Sequence, residues 1–275
     1  MTRETPRVLA IAGSDSSGGA GIQADIKTIA MLGGYAMTAI TAVTAQNTVG
    51  VQAIAPLGAD MVSEQIASCI DDIGVDAIKI GMLHDAPIIA AVADALHKLA
   101  PQTPIVLDPV MVATSGAMLI APDAIEAMRE RLFPLATLIT PNIPELEHLA
   151  GRSLSDTDEV ARAAQEIAAP YSNHVLAKGG HGEGDRIIDI LIGAGDARAV
   201  TFNDPRIDSR QTHGTGCTLS SAIATLLGHG QSLEHAVRLA RQFVRRAIEV
   251  APGFGAGHGP LGHHAVGRGL QPSSS

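Results

Sequence analysis

Two rhythms of apolar residues run through this chain. Short, unbroken apolar runs bounded by glycine, proline or polar residues read as buried strands at residues 8–12, 77–80, 105–107, 137–139 and 175–177. Residues 35–45, rich in Thr, Ile and Val, read as a longer extended segment. Residues 187–192 and 199–202 read as two late strands suited to antiparallel pairing. Between these runs, apolar positions recur at helical spacing. Such segments cover residues 22–32, ended by Gly33 and Gly34, and residues 60–73, with Asp60 as N-cap and Gly74 as stop. Others cover residues 87–99, a stretch starting near Pro122, and residues 160–168, 218–227 and 233–250. Strands alternating with helices of this length predict βαβ units, hence an α/β fold with a mainly parallel sheet. No linker or internal repeat interrupts the pattern, so residues 1–266 are expected to form one domain. The small and polar residues 267–275 are expected to be a disordered tail.

Composition narrows this picture. Aromatics make up 2% of the chain and Trp is absent, so the core must be built from Ala, Val, Ile and Leu. The net charge of −9 argues against a nucleic-acid surface. No apolar run approaches the ~20 residues of a membrane span. The run at residues 8–12 is too short for the core of a secretory leader. Cys69 and Cys217 form no spacing motif, which fits a reducing compartment. A cytoplasmic protein is the expectation.

Chemistry concentrates where residues 212–222 open the penultimate helix. Gly214 and Gly216 flank Thr215, Cys217 follows, and an apolar run comes at once. The first N–H groups of a helix have no intrahelical partner, and the helix dipole attracts an anion. The segment therefore reads as an anion site with a thiol at its mouth. Other polar and glycine-rich clusters also fall after strands: residues 13–21, Gln46 with Asn47, Lys79 to Met82, Asp108 with Val110, Asn142 with Glu145, and Lys178 with Gly179 and Gly180. Ligands of open α/β sheets bind at those carboxyl ends. The first cluster is not a Walker A loop, because Gly19 and Ala20 stand where Lys and Ser/Thr are required.

Taken together these motifs resemble the ribokinase-like superfamily, and within it the hydroxymethylpyrimidine/phosphomethylpyrimidine kinases. The resemblance runs from about Val8 to His264. It rests on residues 12–25, 44–48, 79–83, 108–111, 140–142, 178–181 and 213–217 in this order. It implies a three-layer α/β/α arrangement, ATP and Mg²⁺, phosphoryl transfer to a pyrimidine, and a homodimer.

By that resemblance, Gly214, Thr215, Gly216 and Cys217 form the hole that meets the transferring phosphoryl group. Cys217 occupies the place where many superfamily members carry an aspartate base. A thiol of pKa ~8.5 is a weak base at neutral pH, although a helix N-terminus lowers that value. Gln46 offers the donor and acceptor that an aminopyrimidine edge requires. Asp25 reads either as a further acceptor for the ligand or as a first-turn helix residue. Gly13, Met82 and Val110 line the ring, Met82 reading equally as core filler. Asn142 and Glu145 form an N-x-x-E pattern, with Glu145 and Asp108 as candidates for Mg²⁺. Lys178, Asn142 and Thr215 are candidates for ATP. Arg206 reads as a clamp on a phosphorylated substrate or as an ordinary loop residue. Two rivals stay open: a pyridoxal or pyridoxine kinase of the same superfamily, and a catalytically silent binding module.

Overall fold

The structure is a computed structural model describing residues 5–111, 119–181, 184–193, 195 and 198–270. The eight expected strands and one more, β3, form one sheet of nine, in the order β3-β2-β1-β4-β5-β6-β7-β8-β9. They are β1 (Arg7–Asp15), β2 (Tyr35–Gln46), β3 (Val51–Pro56), β4 (Ala77–Ile80), β5 (Ile105–Leu107), β6 (Leu138–Ile139), β7 (His174–Ala177), β8 (Arg186–Gly193) and β9 (Val200–Pro205). From β2 to β7 all neighbours are parallel. The edge strand β3 and the late strands β8 and β9 are antiparallel to their neighbours.

Side-chain alternation sends each strand into two cores. Leu9, Ile11, Ile78 and Ile80 face one side, covered by α2 (Ala59–Asp72), α3 (Ala86–Leu99), α4 (Pro122–Arg131), α5 (Ile143–Ala150) and α6 (Thr157–Ala168). Val8, Ala10 and Ala77 face the other, covered by α1 (Gly21–Met31), α7 (Thr215–Gly228) and α8 (Leu233–Glu249). The three-layer arrangement holds.

Local chemistry explains where the helices start. The Asp85 and Asp156 carboxylates accept from the backbone N–H groups of Ile88 and Glu159. Asp60 departs from expectation: Gly58 is the N-cap of α2 and Asp60 lies in its first turn, where a carboxylate meets the positive end of the dipole. β1 runs three residues past the expected end at Ala12, and β3 and α5 were not read from the pattern. Of the expected tail, residues 267–270 fall in a 3-10 helix, His263–Leu270, and residues 271–275 lie outside the described residues.

The topology aims several loops at one place. The chain enters at β1, turns to β2 on one side and later reaches β4 on the other, so β1 and β4 bracket the switch point. Ladder hydrogen bonds continue past the strands. The N–H groups of Gly81, Asp108, Thr140 and Lys178 donate to the carbonyls of Ile11, Ile80, Leu107 and Pro141, each at 2.9 Å. These residues therefore stand in a row along the carboxyl edge.

Candidate active site

At the centre of that row, Gly214 opens α7 in the left-handed region (φ 85°), and no side chain caps the helix. A Cβ at Gly214 would overlap the Gly19 carbonyl oxygen, so the helix opening is packed directly on the glycine-rich loop after β1. On its other flank, a Cβ at Gly216 would sit 3.3 Å from both Asp108 Oδ2 and Lys178 Nζ. Lys178 Nζ donates to Asp108 Oδ1 at 2.6 Å, and Thr140 Oγ1 donates to the same oxygen at 3.0 Å. Burial alone would lower the Lys178 pKa, but Asp108 and Glu145 outweigh it and keep the ammonium charged.

Asn142 and Glu145 form a capping box on α5. Asn142 Oδ1 accepts from the Glu145 N–H at 2.9 Å, and Glu145 Oε2 from the Asn142 N–H at 2.8 Å. Burial pushes Glu145 up to about 7; Asp108 pushes the same way, against Lys178 and the N–H groups of Asn142 and Met111. Two buried carboxylates thus share one lysine.

The glycine-rich loop after β1 is organised around a side chain of its own. Its N–H groups already hold an anion, the Asp15 carboxylate. Asp15 is 2% exposed and accepts from the N–H groups of Ser17 (2.9 Å), Gly19 (3.1 Å) and Ala20 (2.8 Å). It also accepts from Ser17 Oγ (2.8 Å) and pairs with His213 Nε2 (2.8 Å). Burial disfavours this carboxylate, but His213, Ser17 and Ala20 outweigh burial and hold its pKa down at about 2. Through His213, the residue before Gly214, the loop and the helix opening are tied together.

Gln46 ends β2 on the rim. Ser16 Oγ donates to its carbonyl and accepts from its N–H, both at 2.9 Å. Thr44 Oγ1 has one proton and two acceptors, the Ser14 carbonyl at 2.8 Å and Gln46 Oε1 at 3.1 Å. The shorter bond takes the proton and leaves the Gln46 amide available to a ligand. Gly13 and Met82 are in contact, since a Cβ at Gly13 would overlap the Met82 methyl. The Met82 carbonyl is fixed by Thr41 Oγ1 at 2.7 Å. Val110 turns tightly after Asp108, its N–H donating to the Asp108 carbonyl at 2.8 Å.

Two expectations change. Asp25 is fully buried, and its carboxylate is taken by Lys79 Nζ (3.0 and 2.8 Å) and Ser221 Oγ (2.7 Å). It is the anion of a sealed ion pair and presents no exposed surface to a ligand. Cys217 is not lowered by its helix. Burial pushes the thiol up to about 11, with Asp25 and Asp108 adding and Lys79 and the Gly21 N–H opposing, so it stays protonated at neutral pH. Arg206 donates to the carbonyls of Gly184 (2.8 Å) and Gly180 (3.0 Å), which tethers it to the loop before β8.

Sequence reasoning gave no role to Asp15, Lys79, Thr140, His213 or Ser221, although each lies in a motif it singled out. One signal was present: Lys79 interrupts a four-residue buried strand, and a charge in such a place must be paired.

Comparison with known proteins agrees with this geometry. Residues 15–262 match the family described as phosphomethylpyrimidine kinase. The chain is 47% identical over 256 residues to the thiamine biosynthesis bifunctional protein ThiED of Geobacter sulfurreducens. That match covers 93% of this chain and 52% of the relative, so the chain spans about half that protein's length. It is 42% identical over 263 residues to the hydroxymethylpyrimidine/phosphomethylpyrimidine kinase of Bacillus subtilis, covering 95% of this chain and 96% of the other. The phosphomethylpyrimidine kinase structure from Clostridium difficile superposes with a TM-score of 0.78 at 41% identity, covering 89% of this chain and 100% of that one. An ADP complex of Bacillus subtilis pyridoxal kinase superposes with a TM-score of 0.85 at 36% identity, covering 96% and 99%. An uncapped helix opening beside a buried lysine and two carboxylates is a setting for phosphoryl transfer, and the family match extends over nearly all of it: the chain belongs to the phosphomethylpyrimidine kinase family.

Proposed function

We propose that this chain transfers the γ-phosphoryl group of ATP to the hydroxymethyl group of 4-amino-5-hydroxymethyl-2-methylpyrimidine, and then to the resulting monophosphate. The observation that carries the reading is the convergence of three groups at the carboxyl edge: the uncapped opening of α7, Lys178 with Asp108, and Glu145. The N–H groups of residues 214–217 would meet charge on the transferring oxygens, and Lys178 would add a fixed cation. Asn142 and Thr215 border the same place from α5 and α7.

Mg²⁺ fits the donor set. Glu145 and Asp108 are hard oxygen donors, and the upward push on the Glu145 carboxyl is what a cation there would relieve. The two carboxylates would hold the ion partly through water, and when bound it would neutralise phosphate charge.

The pyrimidine would lie against Gly13, Met82 and Val110 with Gln46 reading its amino edge. The state of Cys217 separates the two acceptors. A hydroxymethyl group must lose a proton, whereas a phosphomonoester with pKa₂ ~6 arrives mostly ionised. A protonated thiol orients the first acceptor and adds little to the second. Cys217→Ser is therefore expected to slow the first phosphorylation more than the second, by roughly tenfold against less than threefold with each step assayed separately, the size of a lost orienting contact. Equal losses would contradict this role.

ADP release from ATP and Mg²⁺ with hydroxymethylpyrimidine, its monophosphate and pyridoxal in turn tests the whole reading. Turnover of both pyrimidines supports it; pyridoxal alone would assign the rival activity, to which the pyridoxal kinase likeness lends weight. No substrate-dependent ADP at all would leave a silent binding module.

A homodimer of single-domain subunits in the cytoplasm belongs to the same reading. The β2–β3 hairpin offers a face for the second copy: Val43 pairs with Ala55 and Ala45 with Ala53, and all four are exposed. Light scattering at micromolar concentration should give twice the 28.2 kDa chain mass; a monomer would remove the dimer from the proposal.

A further inference from the structure

The end of the chain returns to the opening of α7. Residues 257–262 bond in turn to three parts of the molecule. The Gly257 N–H donates to Thr48 Oγ1 at 3.3 Å, two residues after Gln46. The His213 N–H donates to the Gly259 carbonyl at 3.1 Å, and the Gly259 N–H to the Arg210 carbonyl at 3.2 Å. The Gly262 N–H donates to the Ala247 carbonyl of α8 at 2.8 Å. The fit is close: a Cβ at Gly257 would overlap the Thr48 carbonyl oxygen, and one at Gly262 the Val250 carbonyl oxygen.

The segment ends on His263, which is 2% exposed. Its Nε2 lies 2.8 Å from Oγ1 of Thr218, 45 positions earlier and fully buried. Burial pushes the imidazole down to about 4, so the ring is neutral at neutral pH. Its one ring proton goes to the Leu261 carbonyl, which can only accept, and Nε2 therefore accepts from the Thr218 hydroxyl. Thr218 closes the first turn of α7, its N–H donating to the Gly214 carbonyl at 2.9 Å. Other buried helix hydroxyls donate to the carbonyl four residues back: Thr28 to Ala24 (2.7 Å), Ser220 to Gly216 (3.0 Å) and Thr225 to Ser221 (2.7 Å). For Thr218 that carbonyl belongs to Gly214. A hydroxyl bonded there would compete with the N–H and bend the first turn.

We propose that His263 is a positioning residue for phosphoryl transfer: by taking the Thr218 hydroxyl it keeps the first turn of α7 straight and its N–H groups aimed at the transferring group. His213 ties the same opening to the glycine-rich loop through Asp15, and His263 adds a second hold from the C-terminal segment.

His263 matters to catalysis only if residues 214–217 receive the phosphoryl group, so two independent measurements are needed. The first is amide hydrogen exchange of the full chain without substrates, resolved by peptide. His263→Leu is expected to speed exchange in the first turn of α7 by about tenfold and to leave its later turns unchanged. His263→Gln, which offers an acceptor oxygen in place of Nε2, should restore the parent rate. The second is steady-state turnover of hydroxymethylpyrimidine with ATP and Mg²⁺. His263→Leu should lower kcat about tenfold with KM for the pyrimidine within about twofold, since misaimed donors cost the transition state most. His263→Gln should recover kcat to within about threefold of the parent. Thr218→Val added to His263→Leu should bring no further loss, because the bond is already gone. Losses that add, or first-turn exchange or kcat unchanged in His263→Leu, would overturn the proposal. If His263→Leu does not fold, the double variant, which leaves neither polar partner stranded, decides: faster first-turn exchange than the parent supports the assignment, and the parent rate refutes it. A parent chain without substrate-dependent ADP release would remove the kinase reading, and exchange alone would then decide whether His263 holds the helix opening.

Discussion

Gly214→Ala is expected to lower kcat/KM by about 10²–10³-fold, the size of effect seen when one anion-hole donor is lost or displaced by about 1 Å. Two costs combine at this position. The backbone has φ 85°, a left-handed conformation that costs a residue with a Cβ roughly 1–2 kcal/mol. The added methyl would also overlap the Gly19 carbonyl oxygen. That oxygen belongs to a loop fastened by Asp15, so it cannot give way, and the opening of α7 must shift instead. The N–H groups of residues 215–217 then no longer point where charge develops. Because α7 is anchored over its later turns by Leu219, Ala222, Ile223 and Leu226 in the core, the fold should survive. Steady-state kinetics with far-UV circular dichroism checks this; full activity with native ellipticity would show that the helix opening is not the phosphoryl site.

Asp15→Ala is expected to be the most damaging single change to stability, at about 3–5 kcal/mol. It would strand the buried N–H groups of Ser17, Gly19 and Ala20 and leave His213 without its carboxylate. Urea unfolding monitored by circular dichroism measures it, and a loss under about 1 kcal/mol would be that of an ordinary surface residue. The same carboxylate gives a pH signature. Its folded pKa of about 2 lies below the ordinary 3.8, so its contribution is present above the unfolded value and is lost as pH falls through the folded one. The shift corresponds to about 2 kcal/mol. Parent stability should fall between about pH 5 and pH 2, and Asp15→Asn should flatten that part of the profile.

Residues 13–21 show how a sequence can be read for place while its purpose stays open. Glycines after a first strand mark a ligand edge, and the loop does lie there. Its donors at Ser17, Gly19 and Ala20, however, are taken by the Asp15 carboxylate just before them, and the His213 that completes the cluster comes from 198 positions away. Lys178 and Glu145 were legible because each sits beside its own local signal, the paired glycines and the N-x-x-E capping pattern. Lys79 signals only that it must be paired; Asp25 is 54 positions away, and neither predicts the other. Strand β3 escaped notice because an edge strand with Ala, Gln and Pro lacks the apolar run of a buried one.

The order of apolar runs by itself determined the α/β class, the parallel core and the line of polar clusters at strand ends, because local periodicity and turn chemistry act over a few residues. It also determined that a helix opens at residue 214, since the glycines and the following apolar run are contiguous. Only the tertiary structure decided the state of each charge. The Cys217 thiol stays protonated because burial outweighs its helix and its lysine. Asp25 pairs inward because β4 brings Lys79 beneath it, and Asp15 stays ionised because His213 arrives from 198 positions away. Desolvation and long-range pairing are properties of the packed molecule, and no stretch of sequence contains them.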